Sequence, residues 1–257
     1  MRLSTYGAQE KRQSRAFLGF FLLCTFSIFF SQKKTHRDTE RKFEDFAHFF
    51  VSLPAVMKKI LFLHGFFASG RCVPAVALRE AFKGEAEVLT PDLPMHPGEA
   101  VAFIGELIER ERPDVLVGNS CGSFYAQMMA RTYGLPALLG NPYFMMTEFL
   151  KPRIGAHQYK SSRADGKQDF VIDHQLIAEF AEMEAHQFLD EPSGDVSTPG
   201  GGPRIWGLFG DNDTLAHFEP LYLEHYTTTF HFPGAHTPTA EEVHQYYVPL
   251  IRKLLEV

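Results

Sequence analysis

Val115-Leu116-Val117-Gly118-Asn119-Ser120-Cys121-Gly122 is the stretch that decides the fold. Three apolar residues run into G-x-S-x-G, and a helical pattern from Ser123 to Thr132 follows. The pentapeptide alone is a common chance match. The strand before it and the helix after it are the context the motif requires. A serine there sits on a tight turn, and small flanking residues let the backbone close without a side-chain clash. Ser120 Oγ is then expected above a sheet, at a helix N-terminus that favours developing negative charge.

Outward from this turn, short apolar runs alternate with helical patterns. Ile60-Leu61-Phe62-Leu63 is a continuous apolar run ending at His64-Gly65, as in a strand buried on both faces. Residues 73–82 read as a helix and 86–89 as a strand closed by Thr90-Pro91-Asp92. Residues 98–110 read as a helix entered at Pro97, with Val101, Ile104, Leu107 and Ile108 on one face. A strand at 137–139 closes at Gly140-Asn141-Pro142, and 173–187 is a helical pattern. Residues 192–203, rich in Gly, Pro and Ser, read as a mobile loop. Strands follow at 205–209 and 227–232, then a last helix over 239–255 with a T-x-x-E capping box at Thr239 and Glu242. The alternation predicts an α/β fold: a mostly parallel central sheet with helices on both faces and sites at the strand C-termini.

A serine needs a base, and the base an orienting carboxylate. Two later strands end in suitable residues: Gly210-Asp211-Asn212-Asp213 and Gly234-Ala235-His236. His236 is assigned as base and Asp213 as acid, with Asp211 the alternative nearer the turn. Either aspartate alone would be ordinary turn chemistry, and His236 alone an ordinary loop histidine. Three signals in order at three strand ends are harder to obtain by chance. Oxyanion donors are expected from the N–H of Cys121 and from the N–H of Phe66, where Gly65 allows close backbone approach. His64 is read as a hydrogen-bonding loop residue rather than a second base. Cys121 is read as a small buried thiol rather than a rival nucleophile. Phe67, Tyr143, Phe144 and Met145 are candidates for the substrate pocket, and for the last three ordinary core under a short lid is the competing reading.

Composition sets limits. The chain has 257 residues and a net charge of −6, and three scattered cysteines make neither a disulfide scaffold nor a zinc site. The acidity argues against a nucleic-acid binder. No phosphate loop, G-x-G-x-x-G or H-E-x-x-H occurs, so the chemistries those motifs carry are not signalled. Residues 1–56 differ from the rest: nine Lys/Arg against five Asp/Glu, a net of +4, leaving −10 on residues 57–257. They also hold 10 of the 25 phenylalanines. Arg12 and Arg15 precede the uncharged run Ala16–Phe30. At about 1.5 Å per residue it spans roughly 22 Å, short of the roughly 30 Å of a bilayer core. It reads as a signal or anchor, as a disordered extension, or as residues upstream of a true start at Met57; the last is favoured. A start at Met57 implies a cytoplasmic protein. A genuine extension implies an exported or anchored one, with membrane contact through residues 16–30.

Together these residues resemble the α/β-hydrolase superfamily, and more narrowly the small YqiA/YcfP-type bacterial esterases. The likeness covers nearly all of residues 57–257: I-L-F-L-H-G-F at 60–66, P-D-L-P at 91–94, the elbow with Phe124-Tyr125-Ala126, then Gly140-Asn141-Pro142 and the two late loops. Asn119, Cys121 and Ser123 depart from the commoner G-S-S-L-G-G elbow. The resemblance implies an α/β-hydrolase domain with a short cap at about 142–191. It implies hydrolysis of small carboxylic esters or thioesters without a cofactor. The alternative is a non-catalytic protein of the same fold that binds a ligand or partner; a third is the same triad in perhydrolysis or C–C cleavage.

Overall fold

The structure is a computed structural model that describes residues 57–188 and 203–256. All of these lie in one unit, Met57–Val257. The run Ala16–Phe30, the question of a start at Met57 and nearly all of the loop at 192–203 lie outside the described residues.

Six strands form one sheet: β1 (Lys58–Leu63), β2 (Ala86–Leu89), β3 (Val115–Asn119), β4 (Ala137–Gly140), β7 (Ile205–Gly210) and β8 (Thr228–Phe232), in the spatial order β2-β1-β3-β4-β7-β8. Every pairing in it is parallel. Between β4 and β7 the strands β5 (Gly155–Gln158) and β6 (Asp169–Ile172) form a separate antiparallel hairpin. The helices are α1 (Val73–Ala81), α2 (Pro97–Glu111), α3 (Cys121–Tyr133), α4 (Met146–Leu150), α5 (His174–His186), α6 (Glu219–Leu223), α7 (Ala240–Glu242) and α8 (Val248–Leu255). This is the α/β-hydrolase architecture expected from the sequence.

The pleat divides the core in two. Leu61 and Leu63 of β1 face Ile104 of α2, Phe124 of α3 and Phe180 of α5. Ile60 and Phe62 face Leu78 of α1 and Val243, Tyr247 and Ile251 near the C-terminus. All four β1 side chains are buried, each worth roughly 1.5–3 kcal/mol. This explains the unbroken apolar run, because a strand covered on both faces has no polar side. The helices after β1 and β2 thus lie on opposite faces, and β3 joins β1 on the side away from β2. Such a reversal opens a crevice at the strand C-termini, here between β1 and β3.

Register brings the strand ends level. Leu63 pairs with Gly118, Gly118 with Leu139 and Leu139 with Gly207. The loops that follow therefore emerge along one edge.

Helix ends follow the sequence signals. Thr239 and Glu242 complete the capping box, and α3 ends on Gly134 at φ 67°. The expected single helix over 239–255 is instead interrupted by a π-helical turn, Val243–Tyr247. Pro249 lies one turn on. Its ring clashes with the carbonyl four residues back and it donates no N–H, and a widened turn accommodates both.

Gly122 is the tightest point of the fold. A Cβ there would lie 1.9 Å from the carbonyl oxygen of Leu63, a backbone atom that cannot swing away. Gly122→Ala is expected to destabilise the protein by about 3 kcal/mol or more, the upper end of overpacking costs. At Gly98, in the first turn of α2, an added Cβ meets nothing within 4 Å. Gly98→Ala is expected to raise stability by about 0.5–1 kcal/mol. Urea denaturation midpoints of the two variants check both signs.

Candidate active site

Ser120 stands between β3 and α3 at φ 57° and ψ −123°, a conformation non-glycine residues rarely hold. Its surroundings enforce that turn. Its N–H donates to Gly140 O at 3.0 Å. Its carbonyl accepts from the N–H groups of Ser123, Phe124 and Tyr143. A Cβ on Gly118 would meet the Ser123 backbone at 2.5 Å. Gly65 packs against the serine, its own Cβ position 3.4 Å from Ser120 Cβ.

His236 follows β8 and Asp213 follows β7. Ser120 Oγ is 2.8 Å from His236 Nε2, and His236 Nδ1 is 2.7 Å from Asp213 Oδ2. Asp213 is buried, and its Oδ1 accepts from the N–H groups of Leu215 and Ala216. Burial raises its carboxyl pKa, but the His236 contact and the two amides outweigh this and hold it below the ordinary aspartate value. Asp211, the alternative acid, is exposed and pairs instead with His231 Nδ1 at 3.1 Å.

The geometry assigns the protons. An ionised Asp213 only accepts, so His236 donates to it through Nδ1–H, and in the neutral ring Nε2 is then the acceptor that faces the serine hydroxyl. Cys121 N–H, at the first residue of α3, has no partner within the helix. The Cys121 side chain is buried, and burial pushes its thiol well up, so its sulfur is a poor nucleophile.

A cleft of about 520 Å³ opens beside Ser120 and His236. Phe66 and Phe67 line it, and so does Phe149 of α4, which no sequence signal singled out. Tyr143, Phe144 and Met145 do not line it. Phe144 is fully buried among Phe188 and Phe218 and is core. Tyr143 sets its ring edge-on to His236, with centroids 6.3 Å apart. Among the described residues, no group of three or more His, Cys, Asp or Glu is placed to hold a metal ion. No helix among them is long and apolar enough to cross a membrane.

Two residues that order the site carried little sequence signal. Asn141, at φ 39°, accepts from Gly210 N–H through Oδ1 and donates through Nδ2 to the carbonyls of Ala235 and His236. One amide thus joins the loop bearing the acid to the loop bearing the histidine. His64 is buried, and its Nδ1–H donates to Gly65 O while its Nε2 accepts from Leu93 N–H. Both partners demand the neutral ring.

Residues 59–193, just over half of the chain, match the model of UPF0227, described as an uncharacterised protein family. The chain belongs to the UPF0227 family. This is the family to which its resemblance to the YqiA/YcfP-type esterases points. Solved structures similar to this UPF0227 chain include Est1E from Butyrivibrio proteoclasticus, with 13% identity and a TM-score of 0.58 over 79% of this chain and 90% of that one. Alpha/beta hydrolase domain-containing protein 10 from mouse is similar at 13% identity and a TM-score of 0.53, over 79% and 92%. At such identities the likeness is one of fold.

Burial lowers the His64 pKa from 6.5 to about 4. In that window the unfolded chain binds a proton that the folded chain rejects. The stability contributed is complete above pH 6.5 and is lost as pH falls toward 4, by roughly 3 kcal/mol in full. The urea midpoint of the wild type is expected to fall more steeply between pH 7 and 4.5 than that of His64→Gln. Asn141→Ala leaves one N–H and two carbonyls without the partner they have now. It is expected to cost about 2–4 kcal/mol in the same assay at pH 7.

Proposed function

We propose that this protein is a serine hydrolase that cleaves small carboxylic esters or thioesters through a covalent acyl-enzyme. The observation that carries the reading is the continuous line from Ser120 Oγ to His236 Nε2 and from His236 Nδ1 to Asp213 Oδ2, at 2.8 and 2.7 Å. Both distances suit direct proton transfer and its support. The family resemblance and the hydrolase fold support the same reading.

Ser120 Oγ attacks the acyl carbonyl carbon as its proton passes to His236 Nε2. Asp213 Oδ2 accepts from Nδ1–H and steadies the imidazolium that forms. The carbonyl oxygen becomes an oxyanion, and the N–H groups of Cys121 and Phe66 donate to it. Backbone donors need little reorganisation when the charge appears. The positive end of α3 adds to their effect. The intermediate collapses, the bond to the leaving oxygen or sulfur breaks, and Nε2 returns the proton to the leaving group. Water then repeats the sequence on the acyl-serine with His236 as base, releasing the carboxylic acid and free Ser120. The Ser120 turn, at φ 57°, presents Oγ to His236 Nε2 at 2.8 Å.

Hydrolysis of p-nitrophenyl butyrate tests this directly. Ser120→Ala is expected to lower kcat/KM by about 10⁴-fold or more, and Asp213→Asn by a similar order through loss of the correct imidazole tautomer. A fluorophosphonate probe is expected to label wild type and not Ser120→Ala. Well-folded wild type that neither hydrolyses the ester nor takes the label would replace this reading with a ligand-binding protein of the same fold.

A further inference from the structure

We propose that the substrate held in the Ser120 cleft carries an anionic group, a carboxylate or a phosphate, bound by Arg71 and Lys160. The proposal rests on the hydrolase reading above and narrows its substrate.

Both cations line the cleft that contains Ser120 and His236, and among the described residues no Asp or Glu lines it. Neither forms an ion pair with a carboxylate among those residues, so both charges are open to a ligand. The surrounding body has the opposite sign, −10 over residues 57–257. A groove of similar size between α2 and α5 takes that sign, with Glu99, Glu179 and Glu182 in its lining. The Ser120 cleft is therefore a local reversal of charge.

Both side chains are exposed, and the backbones that carry them are linked. Arg71 follows β1, and its N–H donates to Ser69 Oγ at 3.1 Å. That hydroxyl also meets Ser161 Oγ at 2.8 Å and the Ser162 carbonyl at 2.9 Å, in the segment that carries Lys160. Lys160 N–H donates to Phe67 O at 2.8 Å, and its Nζ stands 5.8 Å from the centre of the Phe67 ring. One cation thus hangs on each side of a hydrogen-bonded seam. Apolar walls beside them, Phe66, Phe67 and Phe149, displace water and strengthen attraction to an anion. A neutral acyl ester would use neither charge.

Paired substrates test the proposal in two arms. Mono-p-nitrophenyl glutarate against p-nitrophenyl valerate places a carboxylate on the acyl side. Butyryl-coenzyme A against butyryl-N-acetylcysteamine places phosphates on the leaving group. Each ratio of kcat/KM is normalised to hydroxide-catalysed hydrolysis of the same pair. The anionic member is expected to be favoured at least about tenfold in one arm, less so at high salt, and R71Q/K160Q is expected to reduce that ratio at least about fivefold. Ratios near one in both arms, or a ratio the double substitution leaves unchanged, would overturn the proposal while leaving the hydrolase reading intact. No hydrolysis of any of the four, with no fluorophosphonate label on Ser120, removes both.

Discussion

The separation between β1 and α3 is set by a missing carbon atom. Gly122 sits so close to Leu63 O that no side chain fits between them. Gly118 closes against the backbone of Ser123 in the same way. These contacts make the turn at Ser120 sharp enough to hold a positive φ, and they lay the first turn of α3 across the end of β1. The segment after β1 then has one place to go, past Ser120, with Gly65 in contact. The two proposed oxyanion donors, Phe66 and Cys121, thus owe their proximity to packing that involves no catalytic atom.

A parallel sheet creates a second problem. Its strand ends are joined by long crossovers rather than tight hairpins, so neighbouring loops on the site edge are not held together by the chain. Buried polar side chains hold them here. Asn141 links the loops after β7 and β8. Asn119 Oδ1 accepts from Tyr247 OH at 3.0 Å, fixing the end of β3 to the C-terminal helical segment. His64 links the loop after β1 to the one after β2 through Leu93. Each link is strong because its groups are buried, and each is costly to cut for the same reason. The fold therefore concentrates its polar constraints on the edge where the proposed chemistry needs sub-ångström placement.

The sequence disclosed whatever a short local pattern can encode. All six sheet strands were legible: β3 and β4, buried on both faces, are near-continuous apolar runs, and the edge strands β2 and β8 stand out by the turn residues that close them. The elbow was legible because its glycines are obligatory, and the capping box because it is a local hydrogen-bond circuit. The lone antiparallel hairpin was not: Gly155–Gln158 and Asp169–Ile172 are only four residues each, and the first is half polar. Asp213 and Asp211 are equivalent in the chain, two residues apart, and only the path of the turn decides which meets His236. Phe144 and Phe149 are equally hydrophobic, and which one faces the cleft depends on how α4 docks. Asn141 looked like a turn residue, since asparagine tolerates positive φ. Its three hydrogen bonds span loops about 70 and 95 positions away, which no local pattern records.

The segment between β4 and β7, the proposed cap, and the loop after β1 are joined at several points, and this bears on how specificity could be built. Phe66 and Phe67 pack against Phe149 and Phe170 of β6, with ring centroids 5.5–6.2 Å apart. Asp92 ties the same unit from below, accepting from Gly70 N–H through one oxygen and from Ala164 N–H through the other. Lys160 N–H closes the circuit at Phe67 O. Any shift of the cap that reshapes the cleft must then displace the backbone next to Phe66 N–H. In a hydrolase whose lid floats free of its oxyanion loop, binding and chemistry can change separately. In the proposed hydrolase one set of aromatic contacts and backbone hydrogen bonds would carry both. A substitution in the cap, such as at Phe170, would be felt at the carbonyl oxygen of a substrate as well as along its chain.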